Sequence, residues 1–98
     1  MVSKLSGFQE YAGLWHGDAF PQRTTTSHME CMRQCVESLS EALKIYADEP
    51  SAINTKDVAN EAGDVFVLLL SLAHKVGFDL MIAAADRIRV LQKQDKED

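Results

Sequence analysis

Glycine is scarce in this chain, and its five residues are scattered, so no loop can cradle a phosphate through consecutive backbone amides. No serine or cysteine sits in the small-residue setting of a nucleophile elbow, which sets aside the hydrolase triad along with the P-loop enzymes. The two cysteines, Cys31 and Cys35, are too few and too close for the disulfide framework of a secreted mini-protein, and no signal-type segment opens the chain. A reduced, cytoplasmic protein is expected. Positive charge is also in deficit: ten Lys and Arg face fifteen Asp and Glu, for a formal net charge of −5. No basic stripe interleaved with aromatics compensates locally, so a nucleic acid polymer is not an expected partner, and a polyanionic ligand would need a metal bridge. The longest apolar run, Val65 to Ala73 broken by Ser71, falls short of the roughly 20 residues that span a bilayer. No membrane association is expected.

What is present is helical periodicity. Apolar residues recur at steps of three and four with almost no alternation, which predicts an all-α fold. The first helix is expected over Gly7 to Trp15, with Ser6 and Gln9 as N-cap and N3 of a capping box and a face of Phe8, Tyr11, Ala12 and Trp15. "HGDAFPQRTTTS" then reads as a long extended connector. A second helix starts with Ser27 as N-cap and Glu30 at N3, buries Met29, Met32, Val36, Leu39 and Leu43, and ends near Asp48 ahead of Pro50. Asn54 or Thr55 caps a third helix that runs to Val76 and closes on Gly77 in the left-handed conformation. This helix is apolar almost all round, leaving a narrow polar strip of Asp57, Asn60, Asp64, Ser71 and Lys75. Asp79 caps a fourth, Leu80 to about Gln92, before a solvated tail. With 98 residues and 46% hydrophobic content, the chain reads as one domain over 1–98. It is a small antiparallel bundle whose thin core is completed by forming a homodimer or homotetramer.

Acidic residues crowd the middle of the chain. Glu37 and Glu41 lie one turn apart on the second helix, and Glu61 and Asp64 lie on adjacent rungs of the third. Packed antiparallel, the two helices could bring all four carboxylates together, and like charges so placed repel unless a cation intervenes. Clustered carboxylate oxygens with room for water suit Mg²⁺, or Mn²⁺. The plainer alternative is a solvated acidic face, with Glu61 favoured near a helix N-terminus by the macrodipole. Trp15 and His16, at the lip of the connector, could grip a base beside such a site. Alternatively, Trp15 packs on the bundle and His16 meets solvent. His28, Cys31 and Cys35 share a helical face and invite a zinc reading, but no fourth ligand is evident and core packing is the default. His74 and Lys75 suit the C-terminal end of a helix.

"CVESLSEALK", a loop, and then "VANEAGDVFVLLLSLAHKVGFDL" resemble the MazG-like, all-α nucleoside triphosphate pyrophosphohydrolases over roughly residues 35–92. That family carries an ExxE pair on one helix and an ExxD pair on the next. Glu61, Asp64, Val65, Leu69, Leu72, Ala73, Gly77, Asp79 and Leu80 follow the second pattern. The first departs from it: Ser38 stands where the first Glu is expected and Glu41 matches the second, with Glu37 one residue earlier. The resemblance implies a metal set of Glu37, Glu41, Glu61 and Asp64. It also implies attack of water near the α-phosphorus of a nucleoside triphosphate, giving nucleoside monophosphate and pyrophosphate, with Glu41 or Glu61 as general base. Arg87 and Lys93 stand near the family's basic phosphate-binding positions, but Val90 and Leu91 occupy the place of its Asn. A non-catalytic interaction or nucleotide-binding module on the same scaffold is the alternative.

Overall fold

In a computed structural model, which describes residues 6–97, the chain forms four α-helices. They are α1 (Ser6–Ala19), α2 (Thr25–Asp48), α3 (Ala52–Val76) and α4 (Leu80–Glu97), and no strand occurs among the described residues. The all-α expectation holds, with differences at the boundaries that follow from capping chemistry. Thr24, rather than Ser27, is the N-cap of α2: its Oγ1 accepts from the Ser27 amide at 3.1 Å, and the Ser27 hydroxyl accepts from the Thr24 amide at 2.9 Å. Ser27 therefore supplies the return arm of the capping box. Ser51, rather than Asn54 or Thr55, caps α3, its Oγ accepting from the Asn54 amide at 3.0 Å. The expected long connector shrinks to residues 20–24, because α1 continues through His16 and Gly17 to Ala19. Two expected caps stand: Gly77 ends α3 at φ 96°, and Asp79 Oδ1 accepts from the Ile82 amide at 2.9 Å.

α2 and α3 form an antiparallel hairpin, as shown by the order of their contacts: His28 reaches Leu68, and Ile45 shares a groove with Asn54. α1 lies against the second half of α3. Its inward face is Gln9, Ala12 and His16 rather than the expected Phe8, Tyr11 and Trp15, which stay half or more exposed. Gln9 is not an N3 cap. Its Nε2 donates to the Phe78 carbonyl at 2.6 Å and its Oε1 accepts from the Leu80 amide at 2.9 Å, tying α1 to the α3–α4 turn. The Ser6 side chain expected opposite it lies outside the described residues. α1 lies close against α3 at Gly13, where an added Cβ would stand 2.3 Å from the His74 ring.

The core is small. Its buried apolar side chains are Ala12, Leu68, Leu70 and Ala73, with Leu70 and Ala73 fully enclosed. The stripe expected to bury on α2 is only partly covered: Met32 and Leu39 are half-buried, whereas Met29, Val36 and Leu43 are exposed. α3 is likewise closed only over its second half. α4 turns away from α3 by 102°, and from Asp86 to Asp95 every residue is exposed. No single helix among the described residues is long and apolar enough to cross a membrane.

Candidate functional site

The antiparallel hairpin places the acids in two cavities rather than one. A groove of about 330 Å³ between α2 and α3 is lined by Glu41 and Ser38 from one side and by Asp57, Asn60 and Glu61 from the other. Glu61 is half-buried there and Glu41 exposed. Asp64, one turn further along α3, lines a second cavity instead. Glu37 joins neither: with Glu30 it is ion-paired to Arg33 on the exposed face of α2. That guanidinium holds the Glu30 carboxyl below its ordinary range. The expected convergence of Glu37, Glu41, Glu61 and Asp64 is therefore not how these side chains lie. Glu37 follows the helix's own i, i+4 pairing, and Asp64, one turn further along α3 and roughly 60° around it from Glu61, lies where α1 packs. Asp57 and Asn60 were missed as groove residues, although their i, i+4 and i, i+1 relation to Glu61 was there to read.

The oxygen donors of the groove have the hard character that Mg²⁺ requires. Among the described residues, however, no three His, Cys, Asp or Glu side chains are gathered to hold a metal ion. Mg²⁺ commonly needs only one or two carboxylates, filling its remaining positions with water and substrate phosphates. The donor set of Glu41 and Glu61 fits that mode.

The second cavity, about 390 Å³, is walled by aromatic rings. Phe8, Tyr11, Trp15 and Phe20 line it together with Val67, Leu68 and the acid Asp64. Trp15 meets Phe20 edge-on at 6.3 Å between centroids, and the Arg23 guanidinium lies 4.2 Å above the Phe20 ring. Trp15 therefore lines this cavity and not the carboxylate groove beside which the sequence placed it. Cys31 and Cys35 line the same space as free, half-buried thiols, and burial followed by the neighbouring Cys31 pushes the Cys35 thiol up. They behave as small apolar side chains. Arg87 and Lys93 are exposed on α4 and line neither cavity.

His16 and His28, both buried, meet ring to ring at 5.1 Å. His28 has left the zinc face suggested by its spacing: its Nε2 donates to the Leu68 carbonyl at 3.0 Å. His16 is not in solvent either. Its Nε2 lies 3.1 Å from Arg23 Nη1, and because a guanidinium only donates, that nitrogen accepts. Burial, then the nearby His28, Arg23 and Lys75, hold the His16 pKa below the ordinary 6.5. The folded chain thus binds fewer protons here than the unfolded chain once pH falls below that value. Stability from this group is full above 6.5 and is lost as pH falls through the folded pKa. The melting temperature is expected to drop by a few degrees from neutral pH to about pH 5, and His16→Gln flattens that slope. Glu30 contributes its own loss only in the carboxylate range below.

The chain matches no protein-family model, no curated protein and no solved structure.

Proposed function

We propose that the chain is a metal-dependent nucleoside triphosphate pyrophosphohydrolase of MazG-like type that works as a homo-oligomer. One observation carries this reading. A carboxylate groove and an aromatic cavity open side by side along α3, with Glu61 lining one and Asp64, a single turn away, lining the other. Residues so spaced lie roughly 5–6 Å apart at Cβ, a separation that a sugar bridges between base and phosphate. Trp15, with Phe8, Tyr11 and Phe20 around it, would stack on the base. Glu41 and Glu61 would hold Mg²⁺, with Mn²⁺ as a substitute. The bound ion would neutralise the triphosphate and favour attack of water at the α-phosphorus. One of the same two carboxylates would accept the proton of that water. Arg87 and Lys93 contribute phosphate contacts only if assembly brings α4 to a groove.

The oligomer rests on area. A compact monomer of 10.9 kDa exposes roughly 5,600 Å², whereas this chain exposes 7317 Å². Its radius of gyration, 15.8 Å, likewise exceeds the ~12.6 Å expected for a compact chain of this length. The surplus of about 1,700 Å² per chain is what an obligate homodimer buries. Leu14, Ile88, Val90 and Leu91 are among the large apolar side chains left exposed. Light scattering at micromolar concentration should show a dimer or larger, and a stable monomer there contradicts this part.

A second reading has its own support. Ser38 stands in the groove where a carboxylate is needed, and Arg33 holds Glu37 elsewhere. On this view the chain is a non-catalytic helical or nucleotide-binding module. Incubating the protein with canonical and modified nucleoside triphosphates and Mg²⁺, then assaying pyrophosphate, separates the two. Release that depends on Glu61 supports the enzyme, and silence across the panel leaves the module.

A further inference from the structure

All three histidines of the chain meet at one cavity of about 360 Å³, formed by the end of α1, residues 20–24 and the end of α3. His16, His28 and His74 line it together with Arg23 and Lys75, and among the described residues Asp18 is the single acid on its wall. In a chain of net charge −5, this is a local reversal of sign: two permanent positive charges and three titratable ones stand against one carboxylate. Among the described residues, neither Lys75 nor Asp18 has an ion-pair partner. The Arg23 guanidinium gives one donor to His16 and keeps others.

We propose that this cavity binds a phosphate group, as the free ion or a monoester, and takes up a proton as it does so. The crowding of like charge supplies the reason. His16 faces Asp18 from its own helix, Arg23 from the connector, His28 from α2, and His74 and Lys75 from α3. With the cavity free of an anion, a proton on His16 Nε2 would turn the acceptor of the Arg23 bond into a second donor pointed at a guanidinium. A phosphate group removes that conflict. Its oxygens accept from Arg23, from the Lys75 ammonium and from protonated imidazole, each a charge-assisted bond. Binding and protonation are then linked, and each strengthens the other. The site is separate from the carboxylate groove, whose own charge repels phosphate unless a metal is present.

The test is a titration of the intact protein with inorganic phosphate, with a chelator present so that the groove takes no part, followed through the three histidine ring signals by NMR. Saturable movement of those signals is expected, and His16 should titrate at higher pH in phosphate than in chloride of equal ionic strength. Lys75→Gln, an exposed change outside the core, should weaken binding by about fivefold, while Lys44→Gln on α2 leaves it unaltered. A monoester without a base, glycerol phosphate, that reproduces the shifts identifies the site as taking esters; shifts with inorganic phosphate alone assign it to the free ion. Ring signals that do not move, that move equally in chloride, or that respond identically in Lys75→Gln overturn the proposal. None of these outcomes depends on triphosphate hydrolysis.

Discussion

Changing Glu61 to Gln is expected to abolish most of the Mg²⁺-dependent rise in melting temperature and to lower pyrophosphate release by about 100-fold or more. The amide keeps the shape of the side chain and removes the charge that would hold the cation. In the unsubstituted protein, a metal that binds only the folded state stabilises it by mass action, by ~2.7 kcal/mol at one hundred times its dissociation constant. Glu61 is half-buried in the α2–α3 groove facing Glu41 and Asp57, so removing its charge also relieves repulsion. The metal-free Glu61→Gln protein should be no less stable than its parent. Asp64→Asn alone is expected to leave part of the metal response, because Asp64 lines the aromatic cavity. Glu30→Gln, on the far face of α2 and bound to Arg33, should leave it intact. If the double change Glu61→Gln, Asp64→Asn leaves the Mg²⁺-dependent shift unchanged, the acids are a solvated face and the catalytic reading falls.

The largest stability effect is expected at Leu70. Among the described residues it is the only large side chain that is fully enclosed, and few others support it. Leu→Ala at such a site costs about 2–5 kcal/mol, as lost transfer free energy plus the cavity left behind. Against a total stability of roughly 5–15 kcal/mol for a domain of this size, that is a large share. The melting temperature should fall by about 10–30 °C, as circular dichroism would show. Ile53→Ala is the contrast: Ile53 is 77% exposed at the start of α3, and its change should stay within about 0.5 kcal/mol of neutral. Equal losses at both positions would mean that the described packing is not the one that holds the chain together.

Periodicity made the helices legible, and the reason is local: three- and four-residue apolar steps and the Gly77 and Asp79 caps act within a turn or two. The starts of α2 and α3 were harder, because "TTTS" and "PSAINT" each offer several competent caps. Thr24 and Ser51 are the ones whose hydroxyl oxygens accept from an N3 amide. Which face of α1 turns inward was not legible. Hydrophobicity pointed to Phe8, Tyr11 and Trp15, while the packing is decided by Gln9 satisfying two backbone groups of the α3–α4 turn and by Gly13 admitting the His74 ring. Both depend on partners about sixty or more residues away. At the candidate site, spacing located Glu41, Glu61 and Asp64 on the right helices but not in their separate cavities. Nothing in the spacing of His16, Arg23, His28, His74 and Lys75 suggested that they share one.

The departure of α4 from its own hairpin ties secondary structure to dilution. Its last ten described side chains, Asp86 to Asp95, touch too little of the chain to be held by burial. A helical stretch of that length is marginal in water without tertiary support, since nucleation is costly and each turn adds little. If the chain assembles as proposed, helix content in α4 is a reporter of assembly: far-ultraviolet ellipticity per residue should fall as the protein is diluted through its dissociation constant, even though the sequence of the helix is unchanged.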